Sequence, residues 1–347
     1  NIPVIAVNMV KEPWFAEKML EEGLVDFVGL GRAVVADPQW AVKAAEGREK
    51  EINRCISCTF CFETLVSDTI AGKGPVKCAV NPRAGREHRY PGYKKDGAGK
   101  TVVIVGAGVG GLEAARVLGE RGFHVVILEK EGREGGQIYI ADRPPHKEKM
   151  DWIVEYELSQ FKKHDVQIIV NTEADLELIA SYSPYAIVLA TGGTPIKPAS
   201  IPGSGLEEAI TFKEVLCNEK VLEGKKVTVI GSGATGLETA EFLCARGNEV
   251  TIVEMLDTIG QCVYVQHYLD AMDKLSKYDV TYKPKTKLLE IKKGAAILEH
   301  LEDGTQEEYP SDYVVLAMGV KSVNPLEAAC KEICGNVMVV GDAGQPG

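Results

Sequence analysis

Two glycine-rich segments, 125 residues apart, carry the most informative spacing in this chain. Each follows a run of β-branched residues that predicts a strand, and each precedes the apolar periodicity of a helix. In a Gly-x-Gly-x-x-Gly loop, the first glycine permits a tight turn, the second lets a pyrophosphate approach the backbone, and the third lets the helix pack on the strand. The glycines that match this pattern are Gly106, Gly108 and Gly111 in the first loop, and Gly231, Gly233 and Gly236 in the second. We therefore predict two dinucleotide-binding loops.

A carboxylate closes the strand that follows each loop. Glu129 ends the second strand of the first unit, and Glu254 ends that of the second. A carboxylate at this place accepts hydrogen bonds from the ribose 2′-OH of a dinucleotide. A glycine-rich turn that served only for packing would not need this acid in both units. Because Glu254 would repel a 2′-phosphate and no arginine follows it directly, we expect NADH at the second loop, with NADPH less favoured.

Four cysteines between the first fifty residues and the first loop form a candidate metal site. Their spacing is C-x2-C-x2-C-x16-C, and the predicted ligands are Cys55, Cys58, Cys61 and Cys78. Four thiolates suit a [4Fe–4S] cluster. Three close cysteines and one distant cysteine favour a cluster, since zinc ribbons use two separated pairs, but a structural zinc is the alternative.

The other five cysteines are predicted to be packed thiols. None of them forms a C-x2-C or C-x4-C pair close to a dinucleotide loop. Disulfide reductases need a paired thiol beside the flavin, so the sequence disfavours that chemistry.

The composition excludes several other classes of function. The chain has 347 residues, a hydrophobic content of 45% and a net charge of −11, which predict about two or three ordinary domains and neither a nucleic-acid nor an anionic-membrane partner. No signal-peptide pattern or membrane-length apolar run is present. Nine cysteines do not make a disulfide framework, so a reducing cytoplasm is the predicted location. Both ends of the chain look like cuts through a longer protein.

The predicted fold class is α/β, with one dinucleotide domain inserted in another. Residues 1–50 alternate strand and helix, residues 51–95 hold the cysteines, and residues 216–320 form a nicotinamide domain inside an FAD domain of residues 96–215 and 321–347. Two features assign FAD to the first loop. Small residues allow close approach of a large cofactor, and a Gly-Asp pair late in the chain supplies a carboxylate for the ribitol hydroxyls. These candidate FAD contacts are Gly136, Gln137, Thr191, Gly192, Gly341 and Asp342.

This order of parts resembles the large flavin and iron–sulfur branch of the old yellow enzyme family, which includes 2,4-dienoyl-CoA reductase, 2-enoate reductases and trimethylamine dehydrogenase. The resemblance implies that residues 1–50 are the last two βα units of a (β/α)8 barrel that holds FMN, with Gly31 and Arg32 at its phosphate. Two departures are visible. The family usually has C-x2-C-x3-C, one residue longer than here, and Asn8 stands where a small turn residue is usual.

The resemblance implies an NADH-dependent oxidoreductase of the ene-reductase type. Electrons would pass from NADH to FAD, then to the [4Fe–4S] cluster and to FMN in the full-length parent, to reduce an activated C=C bond of a small enoate or enoyl-CoA. An amine dehydrogenase like the trimethylamine enzyme is one alternative. A nucleotide-binding fragment without a complete redox chain is the other. No residue of this chain is assigned as the catalytic acid, and the oligomeric state is left open.

Overall fold

The computed structural model describes residues 2–346, in two compact units. Asn1 and Gly347, the outer limits of two predicted segments, lie outside the described residues. The first unit comprises the described residues up to Gly136 together with Lys149–Ala190 and Leu326–Val340. The second comprises Gln137–Glu148, Thr191–Pro325 and the described residues from Gly341 onward. The segment limits that we predict from the sequence remain predictions.

A five-stranded parallel sheet forms the centre of the first unit. The run TVVIV of its middle strand is buried after the first residue, as expected for a parallel strand covered on both faces. In spatial order the strands are Val337–Val339, Ala186–Leu189, Thr101–Val105, His124–Leu128 and Val166–Ile169. The helices of this part are Val109–Glu120, Asp151–Phe161, Leu176–Ser181 and Glu327–Ile333.

The second unit contains a parallel sheet of the same kind. Its strands in spatial order are Val280–Lys283, Glu249–Val253, Lys226–Ile230, Tyr313–Leu316 and Ala209–Thr211. The helices are Ile138–Ala141, Phe212–Leu216, Ala234–Cys244 and Val265–Leu275. An antiparallel sheet joins Thr286–Lys292, Ala295–His300 and Gln306–Pro310, and a small antiparallel pair joins Gly193–Pro195 and Val320–Ser322.

Both parallel sheets place the strand before the glycine loop at the centre. Strand Thr101–Val105 pairs on its two sides with the following strand and with Ala186–Leu189, and strand Lys226–Ile230 is placed in the same way. Such a reversal of strand order creates a crevice at the carboxyl ends of the strands, where ligands bind. The predicted pair of parallel Rossmann-like sheets is confirmed. The strands of the second sheet lie in sequence between two adjacent strands of the first.

The N-terminal elements form a small βαβ arrangement. Strands Ile5–Ala6 and Phe27–Val28 pair in parallel, with helix Pro13–Glu21 between them in sequence. Helices Arg32–Ala36 and Trp40–Ala45 follow. This arrangement is compatible with two βα units, and the barrel from which we expect them to come remains a prediction.

Helical turns and irregular chain make up the cysteine segment. Its elements are the turns Glu49–Glu51 and Glu87–Arg89, the α-helix Phe60–Thr64 and the π-helical turn Leu65–Thr69. In the part of the chain that the structure describes, no helix is both long enough and apolar enough to cross a bilayer.

A buried ion pair fixes the entry to the cysteine segment. The Lys43 Nζ lies 2.6 Å from Oδ2 of Asp37, and both side chains are buried. The same Asp37 oxygen accepts a hydrogen bond of 2.9 Å from the backbone N–H of Asn53, while Lys43 also donates to the carbonyl of Glu51. These contacts tie the chain just before the first cysteine to helix Trp40–Ala45.

We expect Asp37→Ala to destabilise this part of the molecule by about 3–5 kcal/mol, because it leaves the Lys43 ammonium buried without a counter-charge. Urea denaturation monitored by tryptophan fluorescence measures the change in the free energy of unfolding, since Trp40 lies in the hydrophobic core of the N-terminal elements. The control is Glu22→Ala, which breaks the exposed Lys18–Glu22 pair at 3.8 Å and should cost about 0–0.5 kcal/mol. Equal effects of the two substitutions would contradict the assignment.

Candidate functional site

The first glycine loop has the geometry that a bound pyrophosphate requires. Gly106 has φ +104°, a left-handed conformation that suits glycine. A Cβ on Gly111 would lie 2.0 Å from the carbonyl oxygen of Gly106, so only glycine lets the helix start this close to the strand. A Cβ on Gly108 would meet nothing within 4 Å, and the space in front of this residue is open.

The second loop repeats this geometry closely. Gly231 has φ +100°, and a Cβ on Gly236 would lie 2.1 Å from the Gly231 carbonyl oxygen. Gly233 again faces open space, with no atom within 4 Å of its ideal Cβ. The first and third glycines of each motif therefore have the turn and packing geometry expected of them, and each loop leaves a cradle that a side chain would fill. The phosphate-binding role of the second glycine remains a prediction.

The helix that follows each loop presents free N–H groups to that cradle. Helix Val109–Glu120 begins after Gly108, and helix Ala234–Cys244 begins after Gly233. Both cap residues are glycines, so no side chain of the cap residue bonds to the helix. The first N–H groups of a helix have no partner within the helix, and its dipole favours an anion at that end. Both cradles therefore fit a diphosphate group.

Each predicted acid holds the loop as well as closing its strand. Glu129 accepts a hydrogen bond of 2.7 Å from the backbone N–H of Ala107. Glu254 accepts bonds from the backbone N–H of Ser232 at 2.9 Å and from its hydroxyl at 2.7 Å. Burial opposes ionisation of Glu254, but these hydrogen bonds, together with those from the backbone of Leu256 and Met255, outweigh it and lower the pKa of this carboxyl. A ribose-binding role for the two acids remains a prediction, and both carboxylates stand at the loop where it is expected.

A glycine pair after the first acid packs against the first loop. The backbone N–H of Gly135 donates to the carbonyl of Ala107 at 2.8 Å. Gly136 has φ +54°, and a Cβ there would lie 3.0 Å from the Cα of Gly108. The sequence predicts that a large cofactor approaches the backbone at Gly136. In the structure, Gly136 instead lies close to the backbone of the glycine loop.

Other predicted FAD contacts gather in the second unit. The Gln137 amide donates to the Asp342 carboxylate at 2.9 Å, although 205 residues separate them in sequence. A Cβ on Gly192 would lie 3.9 Å from the same Gln137 nitrogen. Gly341 has φ +62° and starts the turn that carries Asp342, whereas the Thr191 hydroxyl donates to the carbonyl of Val323. This group supplies a carboxylate and an amide, which are suited to the hydroxyl groups of a ribitol chain.

The four predicted metal ligands are half-buried cysteines that form no disulfide, and they act on one another electrostatically. Cys55 and Cys61 both raise the pKa of Cys58, and Cys58 and Cys55 both raise that of Cys78. In residues 2–346, however, no three His, Cys, Asp or Glu side chains are arranged to hold one metal ion. These electrostatic effects link Cys58 to each of the other three cysteines, and the described residues do not show the arrangement of a mononuclear site.

Backbone N–H groups point at two of these sulfur atoms. Burial is the main cause that raises the pKa of Cys78, to about 11, and hydrogen bonds from the N–H groups of Val80 and Asn81 oppose it. Burial likewise raises the pKa of Cys58 against a bond from the N–H of Phe60. Donors of this kind stabilise thiolates and tune the potential of iron–sulfur clusters. They fit a ligated sulfur better than a thiol that serves only in packing.

A pocket of about 480 Å³ lies at the carboxyl ends of the two N-terminal strands. Gly31 and Arg32, the predicted FMN phosphate contacts, line it, and the Arg32 guanidinium donates to the side-chain oxygen of Asn8 at 2.7 Å. Asn8 has φ +72°, a conformation that asparagine tolerates better than most residues, so a turn persists here without glycine. Lys11 and Cys55 also line this pocket.

Sequence reasoning missed several residues that shape these sites. Ala107 and Ser232 occupy the variable position inside Gly-x-Gly. This position is the one sequence signal that could have indicated their contacts with Glu129 and Glu254. Gly260 follows Glu254 by six residues, the same spacing that separates Gly135 from Glu129. The N–H of Gly260 donates to the Ser232 hydroxyl at 2.9 Å. Nothing in the sequence marks Lys11 for the role described below.

Comparison with known proteins places these features in a family. Residues 100–345 match the family described as pyridine nucleotide-disulphide oxidoreductase. An NADH oxidase of Thermoanaerobacter brockii is 37% identical over 99% of this chain and 52% of its own length. A cinnamate reductase of Clostridium sporogenes is 31% identical over 99% of this chain and 50% of its own. A 2-naphthoyl-CoA reductase in complex with 2-naphthoyl-CoA superimposes with a TM-score of 0.92 at 28% identity, covering 100% of this chain and 52% of that one. The chain spans about half the length of the curated relatives that it matches.

We expect Gly233→Ala to fold normally and to lose NADH affinity by about tenfold or more, because its methyl group fills the space that a pyrophosphate needs. Its φ of −63° allows alanine, so the melting temperature should stay close to that of the unmodified chain. Calorimetric titration with NADH measures the affinity.

The matched variant is Gly236→Ala, which should lower the free energy of unfolding by about 1–3 kcal/mol or more through the clash with the Gly231 carbonyl. Unchanged NADH binding by folded Gly233→Ala would contradict the assignment of the second loop.

Proposed function

Because the chain belongs to the pyridine nucleotide-disulphide oxidoreductase family and is related to the flavin and iron–sulfur branch of the old yellow enzyme family, we propose that it is the electron-input part of an NADH-dependent reductase. The observation that carries this proposal is the duplicated loop. Two cradles with the same glycine geometry, each with an uncapped helix end and an acid, suit two dinucleotides rather than one. In flavoproteins with two such folds, a resident flavin is reduced by a nicotinamide bound in the other fold.

The first loop is the proposed FAD site. Its support is the extra glycine pair, since Gly135 and Gly136 pack against the loop backbone without placing a side chain beside it. The paired side chains of Gln137 and Asp342 would hold ribitol hydroxyls.

The second loop is the proposed NADH site. Its support is the ionised Glu254 carboxylate, held in place by Ser232. An anion at this position accepts hydrogen bonds from two ribose hydroxyls and repels a 2′-phosphate. We therefore propose NADH as the donor over NADPH.

The proposed [4Fe–4S] site is the group of Cys55, Cys58, Cys61 and Cys78. The support is the gathered thiols and the N–H donors to Cys58 and Cys78. When bound, FAD would accept a hydride as an electron pair, and the cluster would carry the electrons singly toward FMN in the full-length parent. The protein's part is to hold the thiolates in a low-dielectric pocket, to donate N–H bonds to them and to exclude water.

The parent's proposed reaction is reduction of an electron-poor C=C bond in a small unsaturated acid or thioester. Support comes from the relatives, one of which is a cinnamate reductase and another a 2-naphthoyl-CoA reductase. The proposed FMN-binding site lies in the barrel that residues 1–50 would complete, with Gly31 and Arg32 at the phosphate. Exposed Ile5 and Phe27 on the two short strands support this, because each side chain is 57% accessible and would be covered by further strands.

After anaerobic purification we expect iron and acid-labile sulfide in cluster stoichiometry, together with FAD. Cys78→Ser should lose most of the iron, because it removes a ligand, whereas the buried Cys330→Ser should retain it. Metal analysis, sulfide assay and chromatography of the extracted flavin measure these contents.

Zinc in place of iron, or equal iron in both variants, would contradict the cluster proposal. FAD replaced by ADP at the first loop would favour an amine dehydrogenase. Absence of flavin, iron and sulfide would leave a nucleotide-binding fragment.

A further inference from the structure

A second, smaller pocket beside the first contains a charge without a partner. Its volume is about 200 Å³, and its lining includes Lys11, Glu12, Trp14, Lys149 and Trp152. Lys11 is 7% exposed, and within residues 2–346 its Nζ has no hydrogen-bond partner. The ring centroid of Trp152 lies 5.6 Å from this nitrogen, a cation–π contact that compensates only part of the lost hydration.

A second ammonium group stands next to the first. Burial is the main cause that lowers the pKa of Lys11, to about 8; the nearby charge of Lys149 is the second, and the smaller effect of Cys55 opposes both. Burying an ammonium ion without a partner costs several kcal/mol, and a like charge beside it adds repulsion. An anion placed between the two lysines would remove both penalties.

No carboxylate of the pocket lining is available for that purpose. Glu12 is the one acid among the lining residues, and its Oε1 lies 3.2 Å from the Arg54 guanidinium. Arg54 also pairs with Glu155 and stacks 4.2 Å from the centroid of the Trp152 ring. This arrangement directs Glu12 toward Arg54 and leaves Lys11 and Lys149 facing the pocket without a counter-charge from its lining.

We propose that the pocket between Lys11 and Lys149 is a binding site for a phosphate-sized oxyanion, either free or as the phosphate group of a small aromatic ester. The two ammonium groups would donate charge-assisted hydrogen bonds to its oxygens. The aromatic walls at Trp14 and Trp152 would cover one side of the ligand. This site adjoins the proposed FMN phosphate contacts, because Lys11 lines both pockets, whereas Lys149 lines only the smaller pocket and Arg32 only the larger one.

Titration of the 347-residue chain with inorganic phosphate at constant ionic strength tests the proposal. Tryptophan fluorescence reports the site directly, since two of the three tryptophans line it. We expect saturable binding, weakened about tenfold or more in both Lys11→Met and Lys149→Met. Lys18→Met, on the exposed face of helix Pro13–Glu21, should bind phosphate as the unmodified chain does.

Stability provides an independent readout of Lys11. In phosphate-free buffer, Lys11→Met should melt at a higher temperature than the unmodified chain, because an unpaired buried charge is replaced by an apolar side chain. Phosphate should raise the melting temperature of the unmodified chain and leave that of Lys11→Met unchanged. Tighter binding of phenyl phosphate than of phosphate would identify an aromatic ester as the occupant, and equal or weaker binding would identify the free ion.

Three outcomes would overturn the proposal. The first is phosphate affinity that is equal in the unmodified chain, Lys11→Met and Lys149→Met. The second is binding that does not saturate. The third is loss of binding in Arg32→Met with retention in Lys149→Met, which would place the anion in the larger pocket.

Discussion

The contact between a helix start and the strand before it is the constraint on which both dinucleotide folds depend. At Gly111 and Gly236 the helix backbone approaches the carbonyl of the loop's first glycine so closely that no side chain fits. This contact places the uncapped end of each helix over the carboxyl end of the central strand. The dipole and the free N–H groups then point into the crevice created by the reversal of strand order. The open cradle at Gly108 and Gly233 is a consequence of this approach.

Different contacts hold the glycine loop in the two copies of the dinucleotide fold. In the first, the residue inside Gly-x-Gly is Ala107, and its carbonyl accepts a bond from Gly135. In the second it is Ser232, and its hydroxyl links Glu254 to the N–H of Gly260. In the first copy, the loop is thus held by the Glu129 carboxylate and by a backbone bond from Gly135, and the side chain of Ala107 takes no part. The second copy closes its loop through a polar side chain that also orients the acid. This difference is a physical reason for the two copies to prefer different dinucleotides.

The fold could be predicted largely because its signals are local. The β-branched runs, the glycine spacing and the terminal acids each act over a few residues, and the two parallel sheets followed from them. The contacts that could not be predicted join distant parts of the chain. Gln137 and Asp342 were separate candidates, and no sequence pattern indicates that they bond to each other. The burial of Asp37 with Lys43 depends on packing that periodicity does not describe. Lys11 reads as an ordinary surface lysine, and only the surrounding aromatic and cationic side chains show it to be buried without a partner.

The most direct measurement of the central claim is rapid anaerobic mixing of the FAD-loaded chain with NADH. We expect that the oxidised flavin absorbance bleaches at a rate that saturates with NADH concentration, that NADPH reacts more slowly, and that the electron paramagnetic signal of a reduced cluster appears after the bleaching begins. A flavin that stays oxidised while NADH is bound would contradict the account, because the two dinucleotide sites would then not exchange electrons.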